Sequence, residues 1–322
     1  MTVDPTLLQK PLRLGTRGSE LALWQANYVK DMLVRRWGKD LEVELQIITT
    51  EGDRIQDRQL HEVGGKGLFV KAIEEKLLEG AVDLAVHSMK DLPAVTPPGL
   101  KIACTPPRED PRDALVMGAA HGTTLLSKLP KGTRLGTGSL RRGALLRRIN
   151  PGLELVPLRG NVPTRLRKVD EGEVDGIVLA AAGLRRLGLH DRITEYLEAE
   201  RFCPSPAQGI LALQCRDRDL RVQELLRPLQ DPATAICALA ERAFLRRLGA
   251  SCTVPVGCFA ELRADDVLTV SGVVVDPCGR PCFMSSKTAH PREAEALGIR
   301  LADNLLALGA HRVVGVGELQ VA

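Results

Sequence analysis

"RLGTRGS" (13–19) and "RLGTGS" (134–139) are two versions of one phrase set far apart in the same chain. In each, a β-like run ends on Gly-Thr, and a serine follows where a helix N-cap belongs. Helical patterns come directly after: "ELALWQANYVKDMLVRRW" behind Ser19 and "LRRGALLRRI" behind Ser139. A strand feeding a helix through a tight turn is the joint of an α/β sheet, so two such joints predict two similar α/β lobes. Each lobe would offer a helix N-terminus to an anion. Capping alone would explain both serines, but Arg17, Arg141 and Arg142 stand beside the turns and favour an anion site.

The alternation continues on both sides of the phrase. Leu21, Trp24, Tyr28 and Met32 fall at helical spacing. Residues 41–49 read as a strand, 67–80 as a helix and 82–88 as a strand. In the second half the runs are 133–137, 139–149, 153–158, 162–172 and 175–184, and the pattern predicts parallel α/β sheets. Beyond residue 230 the pattern changes. A helix capped by Asp231 with Pro232 at its first position precedes β-like runs near 256–262, 267–276 and 281–288 and a last helix over 291–307. That is a small α+β region.

With 322 residues, 44% hydrophobic and 26% charged, the chain has the composition of a globular protein of two or three domains. No apolar run approaches the roughly 18 residues of a membrane helix. The start, "MTVDPTLLQKPLRLG", reads as neither signal nor transit peptide, so a cytoplasmic protein is expected, with thiols rather than disulfides for its eight cysteines. Residues 128–192 carry fourteen Lys/Arg against six Asp/Glu. With only 3% aromatic residues, stacking on single-stranded nucleic acid is disfavoured. Arginines gathered at helix starts suit discrete carboxylates or phosphates.

In "VDLAVHSMKDLP" (82–93), Asp91 follows a strand end, where open α/β sheets place ligand groups, with His87, Ser88 and Lys90 beside it. Taken alone it is also an ordinary polar turn. An ionised carboxylate there can stabilise a cation or move a proton. "EVGGKGLF" (62–69) holds Lys66 in a Gly-rich turn but lacks the Ser/Thr of a phosphate-binding loop, and suits a loop over a cleft. "PLRGNVPTRLRK" presents Arg159 and Arg165, and "GLRRLG" adds Arg186. Cys252, Cys258, Cys278 and Cys282 allow a zinc site, although their spacings are poor for one. Buried thiols are the simpler reading for Cys104, Cys203, Cys215, Cys237, Cys278 and Cys282. No G-x-S-x-G elbow marks a serine hydrolase.

Taken together, "LRLGTRGSELALWQA", "GGKGLFVKAIE", "VDLAVHSMKDLP", "LGTGSLRR", "LRGNVPTRL", "LAAAGLRRLGL", "PAQG" and "ERAFLRRLGASCTVPVG" resemble the porphobilinogen deaminase (hydroxymethylbilane synthase) family, in its order, from about residue 11 to about 310. The resemblance implies a transferase that condenses four porphobilinogens head to tail into 1-hydroxymethylbilane with loss of ammonia. It implies a dipyrromethane cofactor in thioether linkage to Cys252, and Asp91 as the catalytic aspartate. Arg17, Ser19, Lys66, Phe69, Lys90, Thr137, Ser139, Arg141, Arg142, Arg159, Arg165, Arg186 and Gln208 match its cofactor- and substrate-binding positions. The implied fold is two periplasmic-binding-protein-like α/β lobes with a hinged cleft plus a small C-terminal α+β domain. The corresponding divisions are 11–106 with 210–227, 107–209, and 228–322, with "ILALQC" (210–215) as a strand returning to the first lobe. A monomer without metal, nucleic acid or membrane partner is expected. Glu62 replaces a common lysine, Glu20 a proline, Ser251 a glycine of "GGC", and Ala207 the first glycine of "GQG". Asp53 and Asp57 are candidate modulators.

Two other readings compete on the residues alone. A solute-binding or effector-binding module would share the lobes but leave Asp91 and Cys252 without roles. A zinc-stabilised nucleic-acid binder would use the cysteines and the basic block.

Overall fold

The computed structural model describes residues 5–50, 70–249 and 254–315. In chain order the strands are β1 (Leu12–Thr16), β2 (Val43–Ile47), β3 (Leu84–Ser88), β4 (Leu100–Cys104), β5 (Asp113–Met117), β6 (Arg134–Gly136) and β7 (Glu154–Val156). They continue with β8 (Gly176–Ala180), β9 (Glu195–Leu197), β10 (Leu211–Arg216), β11 (Val256–Leu262), β12 (Leu268–Val275) and β13 (Cys282–Ala289). The principal helices are α1 (Glu20–Trp37), α2 (Lys71–Leu78), α3 (Leu140–Ile149), α4 (Val162–Asp170), α5 (Ala181–Arg186), α6 (Leu220–Leu226), α7 (Pro232–Leu248) and α8 (Ala294–Leu305). The run 175–184 is therefore not one element, because the chain turns from β8 into α5 at Ala180–Ala181.

The chain divides into two compact units. The first takes its described residues from 5–50, 70–109 and 210–235, the second from 110–209, 236–249 and 254–315. The first unit holds a sheet in the order β2-β1-β3-β10-β4, and the second a sheet in the order β7-β6-β8-β5-β9. The two sheets have the same plan. β1 pairs in parallel with β2 and β3, as β6 does with β7 and β8. The fourth strand, β10 in one and β5 in the other, is antiparallel to both its neighbours. The expectation of purely parallel sheets is thereby corrected to mixed ones. β5 and β10 are the first strands after the crossings at 109–110 and 209–210, so their direction follows from connectivity, which hydrophobic patterning does not report.

The repeated phrase is the matching joint of both sheets. Ser19 and Ser139 cap α1 and α3, accepting hydrogen bonds from Ala22 N at 3.3 Å and Arg142 N at 3.4 Å. The glycine of the phrase makes room for packing: a Cβ on Gly136 would lie 2.8 Å from Leu158 Cδ2 and 3.0 Å from Ile177 Cγ2. Its arginine has a partner in each lobe. Arg13 Nη2 binds Asp83 Oδ1 and Arg134 Nη2 binds Asp175 Oδ1, both at 2.7 Å, and each carboxylate also accepts its arginine's backbone N–H. The same residue pair therefore ties the second strand of each sheet, β1 or β6, to the start of the third, β3 or β8.

On one face of the first sheet, Leu12, Leu14, Leu84, Val86, Leu211 and Leu213 pack on Ala26, Val29 and Leu33 of α1. The buried stripe of α1 is Gln25, Ala26, Val29 and Leu33. Leu21, Trp24, Tyr28 and Met32, expected to face the core, are only half-buried, and Trp24 stacks on Tyr28 at 5.2 Å. In the second unit β11-β12-β13 form an antiparallel sheet whose one face packs on α7 and α8. Val273 and Val275 from its other side join the core of Leu115, Leu135, Leu145 and Val178. The α+β region and the second α/β sheet therefore share one compact unit. Cys258 is fully buried in the core under α7 and α8. Cys278, expected buried, is exposed on the β12–β13 turn, and Cys282 is intermediate.

Candidate active site

In the first unit the candidate residues gather at the carboxyl ends of β1 and β3. β3 runs straight into a 3-10 turn, Met89–Asp91, and Met89 N donates to Ile210 O at 2.9 Å. Gln25 Nε2 of α1 donates to Ser88 Oγ at 2.9 Å, fixing the end of β3 against the helix. Lys90 is half-buried and Asp91 is exposed, so the carboxylate stands in solvent on a backbone held from both sides. Arg17 is half-buried on the turn ahead of Ser19. Beneath them His87 is buried, and burial lowers its pKa to about 4, with the charge of Arg17 adding to the effect. Its ring is neutral at pH 7. His87 Nε2 is buried without a hydrogen-bond partner among the described residues.

In the second unit the arginines cluster around the start of α3. Arg141 and Arg142 lie in its first turn, where no acidic residue accompanies them. The positive end of a helix dipole disfavours cations there. A residue that sequence reading passed over holds them: Asp113, the first residue of β5, which is fully buried. Its Oδ2 accepts from Arg141 Nη2 at 2.7 Å, and its Oδ1 from Arg142 Nη2 at 2.7 Å and Arg142 Nε at 3.0 Å. Gln208 Nε2 also donates to Oδ1 at 3.0 Å. Burial by itself would raise the carboxyl, but the two guanidiniums outweigh it and hold Asp113 down at about 2. Arg141 Nη1 donates to Cys203 O at 2.7 Å and Arg142 Nη1 to Val178 O at 3.1 Å. Arg186 Nη2 donates to Gly209 O at 2.7 Å.

Arg159 precedes α4 and Arg165 lies in its first turn; the N-cap Asn161 accepts from Thr164 N at 2.9 Å. Both arginines are half-buried, and Arg159 Nη2 and Arg165 Nε are buried without a hydrogen-bond partner among the described residues. Burial lowers the Arg165 pKa to about 10, and repulsion from Arg142 and Arg159 adds to the shift. Buried N–H donors with no acceptor are costly, and the repulsion of Arg165 by Arg142 and Arg159 adds to that cost. The arrangement calls for anions that the described residues do not supply. Carboxylates fit it in charge and in donor geometry. Thr137 is half-buried at the end of β6, and its hydroxyl accepts from Ser139 N at 3.2 Å.

The structure thus draws Arg141, Arg142 and Gln208 together through Asp113, and places Arg165 within electrostatic reach of Arg142 and Arg159. Ser19 and Ser139 have their cap bonds to make whatever else they do. Gln208 is fully buried, in a loop where Ala207 (φ 61°) and Gly209 (φ 86°) both adopt left-handed backbone. Alanine is strained in that conformation, which glycine adopts without cost. Asp53, Asp57, Glu62, Lys66, Phe69, Ser251 and Cys252 lie outside the described residues. A buried carboxylate missed by sequence reading, Glu241, accepts from Ala207 N and from Ala260 N, the latter at 2.7 Å, and anchors the Ala207–Gly209 loop to α7.

A family model described as "Porphobilinogen deaminase, dipyromethane cofactor binding domain" matches residues 12–224, and "Porphobilinogen deaminase, C-terminal domain" matches 235–307. The chain is 52% identical over 308 residues to the porphobilinogen deaminase of Syntrophotalea carbinolica, covering 96% of each chain. It is 46% identical over 303 residues to that of Geobacter sulfurreducens, covering 94% of this chain and 93% of the other. Among solved structures, a TRAP periplasmic solute binding protein from Desulfovibrio salexigens is 12% identical with a TM-score of 0.42, over 69% of this chain and 72% of that one.

Proposed function

The chain belongs to the porphobilinogen deaminase family, and on that premise we propose how its own side chains carry the reaction. The enzyme is a transferase of tetrapyrrole biosynthesis that condenses four porphobilinogens head to tail into 1-hydroxymethylbilane and releases ammonia. Its dipyrromethane cofactor supplies the covalent primer on which the product is assembled. We assign the thioether attachment to Cys252.

Each pyrrole carries an acetate and a propionate, so the growing chain brings many carboxylates to one site. The observation that supports this use is the trio Arg142, Arg159 and Arg165, with buried donors on Arg159 and Arg165 left unpaired among the described residues. Each charge-assisted hydrogen bond formed there contributes about 1.5–3 kcal/mol. Arg17, Arg141, Arg186, Lys66, Lys90, Gln208, Ser19, Thr137 and Ser139 are assigned to cofactor and substrate binding, and Phe69 to covering a ring.

Asp91 is the catalytic group in this reading. Its exposed carboxylate, on a turn fixed by Met89 and by Ser88–Gln25, is available to a ligand without reorganisation. As the protonated amine leaves porphobilinogen, positive charge develops on the substrate's methylene and ring nitrogen. Asp91 stabilises that charge and accepts the pyrrole N–H. After the carbon–carbon bond forms, the coupled ring loses a proton, which the carboxylate passes toward water.

We also propose a cytoplasmic monomer. The described cysteines are free thiols, as suits a reducing compartment, and light scattering of the purified protein tests the assembly. The function is tested by porphobilinogen consumption with product capture. Wild type should release four ammonia molecules per hydroxymethylbilane, and Asp91→Asn should fold normally and slow turnover at least a hundredfold. Near-normal turnover by Asp91→Asn would remove that residue from its role.

A further inference from the structure

The two arginines at the start of α3 are in a place that helix electrostatics disfavours, in a first turn without acidic residues. Their side chains are 5% and 8% exposed. Two adjacent guanidiniums that deep would repel each other and point apart unless something between them fixed both. Asp113 stands there. Its two oxygens divide between them, Oδ2 on Arg141 and Oδ1 on Arg142, each at 2.7 Å. Gln208 donates to the same Oδ1 and, from the same Nε2, to Pro111 O at 2.9 Å, so the carboxylate is itself held. A guanidinium has five N–H donors. The contacts to Asp113, Cys203 O, Val178 O and Gln208 Oε1 take two donors of Arg141 and four of Arg142, and leave further donors on both.

We infer that Asp113 is a positioning residue for ligand binding: it grips Arg141 and Arg142 from within the core and sets the angle at which their remaining donors meet a pyrrole's carboxylates. It touches no ligand itself. It neutralises one of the two charges, so the pair keeps a single net positive charge and stays attractive to carboxylates when added to Arg159 and Arg165. This rests on the reading of Arg141 and Arg142 as carboxylate ligands given above. A purely structural Asp113 would affect how much protein folds, but not what the folded protein binds.

The two roles are separated by weighing folded protein. Asp113→Asn, Asp113→Glu and Arg142→Gln are purified as single species by size exclusion and their masses measured intact. Among folded Asp113→Asn molecules, the fraction carrying the covalent cofactor is expected to fall at least tenfold, as it should for Arg142→Gln. Asp113→Glu retains the charge and moves it by one methylene, so it is the variant that survives if Asn does not fold. It is expected to raise KM for porphobilinogen three- to tenfold with kcat within twofold, the pattern of lost ground-state binding. Fully loaded Asp113→Asn, or wild-type KM in Asp113→Glu, with Arg142→Gln unloaded, would overturn the positioning role and leave the proposed function standing. Full loading and wild-type KM in Arg142→Gln would instead refute the assignment of that arginine.

Discussion

Arg165→Met should stabilise the protein when no cofactor is attached, although the arginine is assigned to ligand binding. Arg165 Nε is buried without a partner among the described residues, and burial with repulsion from Arg142 and Arg159 holds the guanidinium at about 10. At neutral pH, well below that value, the side chain is charged in both folded and unfolded protein, so the penalty is fully present. It relaxes only as the pH rises through about 10. A displacement of that size corresponds to about 3 kcal/mol. Methionine keeps an apolar stem of similar length and removes the charge. Lost stem packing reduces the net gain to about 1–2 kcal/mol, or about 2–4 °C in melting temperature. The assay compares Cys252→Ala with Cys252→Ala/Arg165→Met by thermal denaturation at pH 7.5. In the enzyme that retains Cys252, the same change should raise KM for porphobilinogen ten- to a hundredfold, because charge-assisted bonds of about 1.5–3 kcal/mol are lost. A double variant melting several degrees below Cys252→Ala would refute the reasoning, since the guanidinium would then support the fold instead of straining it.

Ala207→Gly should stabilise by about 0.5–1 kcal/mol, because Ala207 sits at φ 61° and a left-handed alanine costs about 1–2 kcal/mol before glycine's extra unfolded-state entropy is deducted. Urea unfolding reads the difference, and a lower midpoint would count against it. The hydrogen bond from Arg134 holds the Asp175 carboxyl below the usual range. Its contribution is therefore present above about pH 4 and is lost as pH falls through the lower folded value. Because Arg134 is partly exposed, solvent screens the pair and the contribution is small. Asp175→Asn should show that loss at pH 7 and a flatter stability profile between pH 4 and 2, whereas parallel profiles would exclude the assignment.

Much of the architecture was legible in the residues. The repeated phrase announced two like lobes because its serine caps the helix that follows at once, and a local task leaves a local signature. Sheet direction was not legible: β5 and β10 look like any apolar strand, and only the path of the chain makes them antiparallel. Asp113 was hidden for a related reason. In "REDPRDALV" it reads as one more acid before a strand, and its meaning comes from arginines 28 and 29 residues away on α3. The arginine positions were legible as a group, but their burial was not, since adjacent arginines in a first helical turn usually reach solvent. The stripe on α1 was misjudged by one position because Trp24 and Tyr28 are bulky enough to look like core while stacking at its margin.

The central claim is that this chain holds a covalent pyrrole primer on Cys252 and builds a tetrapyrrole from it. Intact mass of the purified wild-type protein under denaturing conditions tests it most directly. The account predicts a mass above that of the sequence by one dipyrromethane, absent in Cys252→Ala. An unmodified protein that turns over porphobilinogen at full rate, or an adduct that persists in Cys252→Ala, would contradict it.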